Sequence, residues 1–475
     1  MSGDMRPWIL GGLAAWLAAC SPLSPDLAPM GQSSLAGQAD TVGASVLTGG
    51  WDAEARAFVI EAYDSFTGGP AGWDALRLPG SGRQMSLHAL SPDGSTLAVV
   101  TGTTPFCAPA SGGSACWPSA KALHFIHLPT RTTARVDPGF GRVSALAFSP
   151  DGQRVALVHE TREAIEARLY DPSDGQLLRS TTVPFVASYL GYTVDGQGLL
   201  LIGAGPGDDP GFAPPGPLTV MLIDGETLES TWRHTLDGIL HGSWCLEGCG
   251  DSHEDVLTAG WSPAIVRIPG TDRVVIVHAD ADRLTSIDAG GQRVTTMDIA
   301  IQRSWIDRLM ALGTVSAEAK GPLEGAFRQA IASTDGSRLY TVGVDYHARR
   351  TDDGQWEMRD EPLGLQVIDP STGLKISSID SDASRVALTK DGAWLLLTIW
   401  GDVELTTMVL PVDGLDQGRR VEAWELVAGQ SLEGIPLVIG LSSTAHGLRA
   451  ASIDPMTLEI GRPWRLPGRA SLLLP

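Results

Sequence analysis

The sequence predicts an all-β fold of repeated four-stranded antiparallel blades, and three observations carry that prediction. A pattern of apolar strand, Asp-Gly turn and apolar strand occurs five times, a second hairpin follows each first one, and the paired unit recurs every 40 to 65 residues. The first pattern reads "LHALSPDGSTLAVV" (87 to 100), "SALAFSPDGQRVALV" (144 to 158), "YLGYTVDGQGLLLI" (189 to 202), "QAIASTDGSRLYTV" (329 to 342) and "RVALTKDGAWLLLT" (385 to 398). Each is a hairpin in which Gly supplies a positive φ and Asp bonds nearby amides. Asp93, Asp151, Asp195, Asp335 and Asp391 are therefore read as structural turn residues rather than catalytic ones. The second hairpins include "RLYDPSDGQLLRS", "MLIDGETLEST", "TSIDAGGQRVTTMD", "QVIDPSTGLKISSID" and "ASIDPMTLEIGRPW", and eight can be counted. Two hairpins at this period make one blade of a β-propeller. Eight blades are expected, with seven as the alternative because the segment 424 to 466 lacks an Asp-Gly turn. The terminal "ASLLLP" is expected to pair into the blade begun by residues 45 to 80, which would remove an exposed sheet edge.

Through its SPDG-type and "VIDPSTG"-type turns, spread over residues 45 to 475, the sequence resembles the WD40-like and YVTN-type β-propellers of exported bacterial proteins. The resemblance implies an architecture. It implies little about activity, since propellers host unrelated functions.

Ahead of the repeats, residues 8 to 19, "WILGGLAAWLAA", form an apolar run shorter than the roughly 20 residues of a spanning helix. The run reads as a signal-peptide core. It ends in "LAAC", where Leu17, Ala18 and Ala19 precede Cys20. That quartet resembles the lipobox of bacterial lipoproteins, and the resemblance implies a lipid-modified Cys20 at the mature N-terminus. A start at Met5 would give the cleaner basic leader "MRPWILGG". The expected organisation is a signal peptide over 1 to 19, a flexible lipidated tether over 20 to 44, and a single propeller domain over 45 to 475. The expected location is the cell envelope, on the outer side of a bacterial membrane.

The net charge of −21, with dispersed basic residues of which only four are lysine, argues against nucleic acid as a partner, because nucleic acid is bound by clustered basic residues. The 14 tryptophans are scattered and suit packing rather than a stacking platform. With Cys20 committed to lipid, Cys107, Cys116, Cys245 and Cys249 remain as disulfide candidates, an even number in a compartment where disulfides persist. Proximity favours Cys107 with Cys116 and Cys245 with Cys249.

One stretch admits a second chemistry. "HGSWCLEGCGDSH" sets His241, Cys245, Cys249 and His253 four apart, and zinc or copper accepts two thiolates and two imidazoles. Gly242, Gly248 and Gly250 argue against a helix that would align them. A disulfide loop is the simpler reading, so no cofactor is expected; a metal ion, Zn, Cu or a Ca held by loop carboxylates, is the alternative.

The longest connections fall between strands B and C (101 to 121, 203 to 217, 343 to 362) or between D and the next A (237 to 261, 299 to 326). They read as loops with little strand content gathered on one face, with a short amphipathic helix within 301 to 313 carried by Ile301, Trp305 and Leu309. Long loops of this kind are commonly functional. No G-x-S-x-G elbow, H-E-x-x-H helix, C-x-x-C-H or phosphate loop occurs. The sequence thus favours a non-enzymatic, monomeric binding or scaffold module that takes a protein, a polysaccharide or a small ligand on this face and meets the membrane through its lipid. An extracytoplasmic enzyme of lactonase or dehydrogenase type, or a metal-handling protein with its site at the channel mouth, is the alternative.

Overall fold

The computed structural model describes residues 45–473 apart from 53, 66, 72–73, 83, 111–112, 162, 206–215, 248–256, 302–322, 351–355, 401–404, 432–434, 445–446 and 467–470. Every described element is a β-strand except a 3-10 turn at Leu415–Gln417. The described chain divides into two compact units, one over 79–236 with 243–258 and the other over 45–78, 237–242 and 259–473.

In the first unit, Gln84–Leu90, Thr96–Ala110, Gly113–His127 and Thr132–Val136 form one antiparallel blade, and Arg142–Phe148, Val155–Glu160, Ile165–Tyr170 and Leu177–Thr182 form the next. Val186–Tyr192, Gly198–Ala204 and Gly216–Asp224 continue in the same antiparallel order. Burial is graded across a blade. The second strand, "VALVHE", is buried at every position, whereas the fourth, "LLRSTT", is almost wholly exposed. Inner strands are covered on both faces and so read as unbroken apolar runs. Val158, Phe185, Leu190, Leu199 and Leu201 pack in one such inter-blade layer, each worth about 1.5–3 kcal/mol of burial.

The second unit contains four sheets of four strands. They begin at Ser45–Asp52, Ala264–Arg267, Ala383–Leu388 and Glu425–Gln430. In the first of these, Ser471–Leu473 pairs antiparallel with Ser45–Asp52 through Leu47↔Leu473. The chain's last strand therefore occupies the edge of its first. Leu323–Ala332, Leu339–Arg350, Leu365–Ile368 and Leu374–Ile379 pair in turn beside these sheets, with Tyr340, Leu365, Leu395 and Leu397 in the layer shared with the following blade.

Two expectations are corrected here. The described strands make six four-stranded blades, not eight or seven, and the other eleven strands join in a single sheet. The reason lies in Ser230–Glu247, an 18-residue strand that does not stop where a blade ends, and in Leu257–Ser262, which pairs in parallel with Leu323–Ala332 through Trp261↔Ala326. No α-helix occurs among the described residues. Of the expected helix only Ile301 is described, in a short strand parallel to Leu374–Ile379, and Trp305 and Leu309 lie outside the described residues.

Where they are described, the connections expected to be loops are largely strands as well. Residues 101–121 continue two blade strands as a paired hairpin that closes at Ala110↔Gly113. Residues 343–350 and 356–362 do the same, from Val344↔Pro362 out to Arg350↔Trp356. Prolines and glycines in "TGTTPFCAPASGG" read as breakers, yet at the end of a hairpin that projects beyond its sheet a missing N–H costs little.

Candidate functional site

The site is built on the repeat and on one departure from it. In each Asp-Gly turn a hydroxyl two residues before the Asp donates to its carboxylate at 2.6–2.7 Å, from Ser91, Ser149, Thr193, Ser333 and Thr389. The same carboxylate oxygen accepts the amide two residues on at 3.0 Å. The following glycines all hold φ between 69° and 72°. Asp93, Asp151, Asp195, Asp335 and Asp391 thus have their hydrogen bonds inside the turn. The Ser333 hydroxyl, then the Ser337 amide, hold the Asp335 carboxyl down to about 2.

Five residues before each turn hydroxyl stands Ser86, Ser144, Ser188 or Ser384. Each of these serines is the extra residue of a bulge near the start of its strand, where a bulge bends the strand. The pattern S-x-x-x-x-[ST]-x-D-G was a signal available in the sequence. In the turn at Ser333 the equivalent position is Arg328, unbulged and opposite Gly343.

Arg328 is 8% exposed and forms the hub of a polar cluster in the second unit. Its Nη2 meets Asp345 Oδ1 at 2.7 Å and donates to the Ala279 carbonyl at 3.2 Å. Its Nη1 donates to the Phe327 and Val344 carbonyls at 3.1 and 3.4 Å. Beside Ala279, His278 is buried, with Nε2 at 2.8 Å from Thr285 Oγ1. Its Nδ1 stands 3.9 Å from Asp280 Oδ1, too far for a hydrogen bond. Burial lowers His278 to about 4 and raises Asp280, which accepts the Leu240 amide. At neutral pH the imidazole is therefore neutral, and the two do not form an ion pair.

The rim continues in the projecting hairpin. Tyr346 faces Asp360 across it; burial, then the Asp360 charge, pushes the phenol up to about 12, and burial raises Asp360. His241 is held at about 4 by burial, against a hydrogen bond from its ring to the Trp261 backbone. Sequence reasoning missed Arg328, His278, Asp280 and Asp345, because they are brought together from separate repeats. The cluster supplies buried polarity and charge at the root of a hairpin. The Thr285 hydroxyl lies within reach of the His278 imidazole, but both side chains are buried, so the contact does not face a surface that a substrate can reach.

Other sequence-derived candidates are placed as follows. His241 and Cys245 lie on one strand, Ser230–Glu247, where four residues span roughly 13 Å. Cys249 and His253, like Cys20, lie outside the described residues, as do Asp208, Asp209, Asp251, Glu254, Asp255, Asp352 and Asp353, which are among the loop carboxylates that the Ca alternative would draw on. Among the described residues no group of three or more His, Cys, Asp or Glu is placed to hold a metal ion. Cys107 and Cys116 are direct cross-strand partners.

No protein-family model matches the sequence, and no curated protein matches it. Solved structures do. The chain is similar to dihydro-heme d1 dehydrogenase NirN in complex with DHE, at 12% identity and a TM-score of 0.52, over 99% of this chain and 83% of that one. It is also similar to Kuenenia stuttgartiensis hydrazine synthase, at 13% identity and a TM-score of 0.41 over 82% and 96% of the two chains. A third similarity is to the β-propeller domain of Myceliophteria thermophila Cps50 (Swd1), at 12% identity and a TM-score of 0.41 over 79% and 99%. At such identities the likeness concerns the fold alone. With the strand order, the first similarity supports a β-propeller of four-stranded antiparallel blades.

Proposed function

We propose that the chain is a binding or scaffold module that engages its partner through the end of its blades where the B–C and D–A connections emerge. The observation that carries this reading is the extension of those connections into paired hairpins, Thr96–Ala110 with Gly113–His127 and Leu339–Arg350 with Trp356–Pro362. The A–B turns, by contrast, are clamped four-residue turns with no surface to spare. Extended hairpins present two rows of side chains on a backbone already hydrogen-bonded, so little ordering entropy is lost on contact. The partner class proposed is a protein, a polysaccharide or a small ligand. In this reading Cys20 carries the lipid that holds the module on the outer side of a bacterial membrane.

The NirN neighbour is described as a dehydrogenase, and an enzyme is the second reading, favoured by the buried cluster around Arg328. The hairpin reading is preferred because the guanidinium is spent on protein acceptors. The test shortens each hairpin in the full chain, replacing 103–119 or 346–360 by a two-residue turn, and compares captured partners by quantitative mass spectrometry. Loss of the same partner in one shortened variant and its retention in Arg328→Met supports the reading. Retention in both shortened variants overturns it.

A further inference from the structure

The first blade of the first unit carries a hairpin whose outer part is poorly supported by its own ladder. Pairing runs regularly from Thr96↔His127 to Thr101↔Ala122, becomes irregular at Gly102, and resumes at Pro105↔Pro118. Two prolines facing each other provide no N–H between them, so this rung has no donor. Beyond it stand five more pairs, Phe106↔Trp117, Cys107↔Cys116, Ala108↔Ala115, Pro109↔Ser114 and Ala110↔Gly113. A two-stranded ribbon of this length is marginal in water, and here it is cut off from the blade by an irregularity and a proline rung.

The cysteines sit two rungs past the proline pair. Directly opposed residues of an antiparallel pair have Cα atoms about 4.5 or 5.5 Å apart, depending on the kind of rung. Both values fall inside the roughly 4.4–6.8 Å window that a disulfide spans. The register therefore meets the backbone requirement for a bridge whichever rung this is.

We propose that Cys107 and Cys116 form a cross-strand disulfide clasp that holds the outer hairpin in register. As the Sγ–Sγ bond forms, the two thiols lose two protons and two electrons. The oxidant is another disulfide, which takes these up as two thiols by exchange through a mixed disulfide. The loop closed is short, so the clasp acts locally and leaves the blades unaffected.

The test uses the full chain, incubated with oxidised glutathione, alkylated with one reagent, then reduced and alkylated with a second before peptide mapping. The expected result is that Cys107 and Cys116 take only the second reagent, with the connecting peptide two hydrogens lighter before reduction. In the Cys107→Ser variant Cys116 is expected to take the first reagent or glutathione. Reduction of the wild type is expected to speed amide exchange over 103–119 by about tenfold or more, the scale of a short-loop cross-link, with exchange in Val155–Glu160 unchanged. Labelling of either cysteine by the first reagent after oxidation, or linkage of either one to Cys20, Cys245 or Cys249, overturns the proposal.

Discussion

Each Asp-Gly turn is held by one carboxylate that receives a hydroxyl and an amide at once, so losing the carboxylate removes both bonds together. Asp335→Ala should cost about 1–2 kcal/mol at pH 7, the range for losing a hydrogen-bonded charged group, as read from urea unfolding. Because the folded carboxyl sits near 2 against 3.8, that stability is present above pH 3.8 and is lost as pH falls through 2. A second effect sets in at higher pH. Burial lowers His124, His159 and His278 to about 4 from 6.5. Each binds a proton less readily when folded, so its contribution is complete above pH 6.5 and is lost as pH falls through 4. Stability should drop by several kcal/mol, to an order of magnitude, between pH 7.5 and 4.5; a flat denaturation midpoint over that range would refute the buried-histidine account. His124 also has no hydrogen-bond partner among the described residues for either ring nitrogen. The turn aspartates were legible because [ST]-x-D-G is local chemistry. The histidines were not, because their burial is set by neighbouring strands far away in sequence.

At the scale of elements, the hairpin pattern gave the strands and their order within each blade, while their ends were misread. Pro105, Pro109, Gly112 and Gly113 broke the apparent strand, yet cross-strand pairing carries Thr96–Ala110 past its two prolines. Pairing is a property of two segments, so one segment's propensities did not reveal it. The same limit hid the eleven-stranded sheet, which depends on Ser230–Glu247 outrunning its blade. Arg328 shows a different gap. Its place in the S-x-x-x-x-[ST]-x-D-G pattern is visible in the sequence, but Asp345 comes from the facing strand and Ala279 from the connection between Arg273–Val277 and Arg283–Asp288. Arg328→Met should destabilise the fold by about 3 kcal/mol by stranding the Asp345 charge, and adding Asp345→Leu should recover most of the loss. Thermal unfolding of the two variants separates this from a packing effect, which the second substitution would worsen.

For the whole molecule, the pairing of Ser471–Leu473 with Ser45–Asp52 ties the two chain ends into one sheet. Deleting residues 471–475 should leave Ser45–Asp52 an open edge, lowering the unfolding temperature and raising aggregation measured by light scattering. The fold class and this end-to-end pairing were readable from repeat and terminus together; the number of separate blades was not. Under the proposed anchoring, Cys20→Ala should move the protein from the membrane to the soluble fraction of cells. The most direct test of the binding role places a photoreactive residue in the full chain in living cells, either at Ser114 in the outer hairpin or at Gln153 in an Asp-Gly turn. The account predicts a discrete cross-linked partner from Ser114 and none from Gln153. A partner captured from Gln153 and not from Ser114 would contradict it.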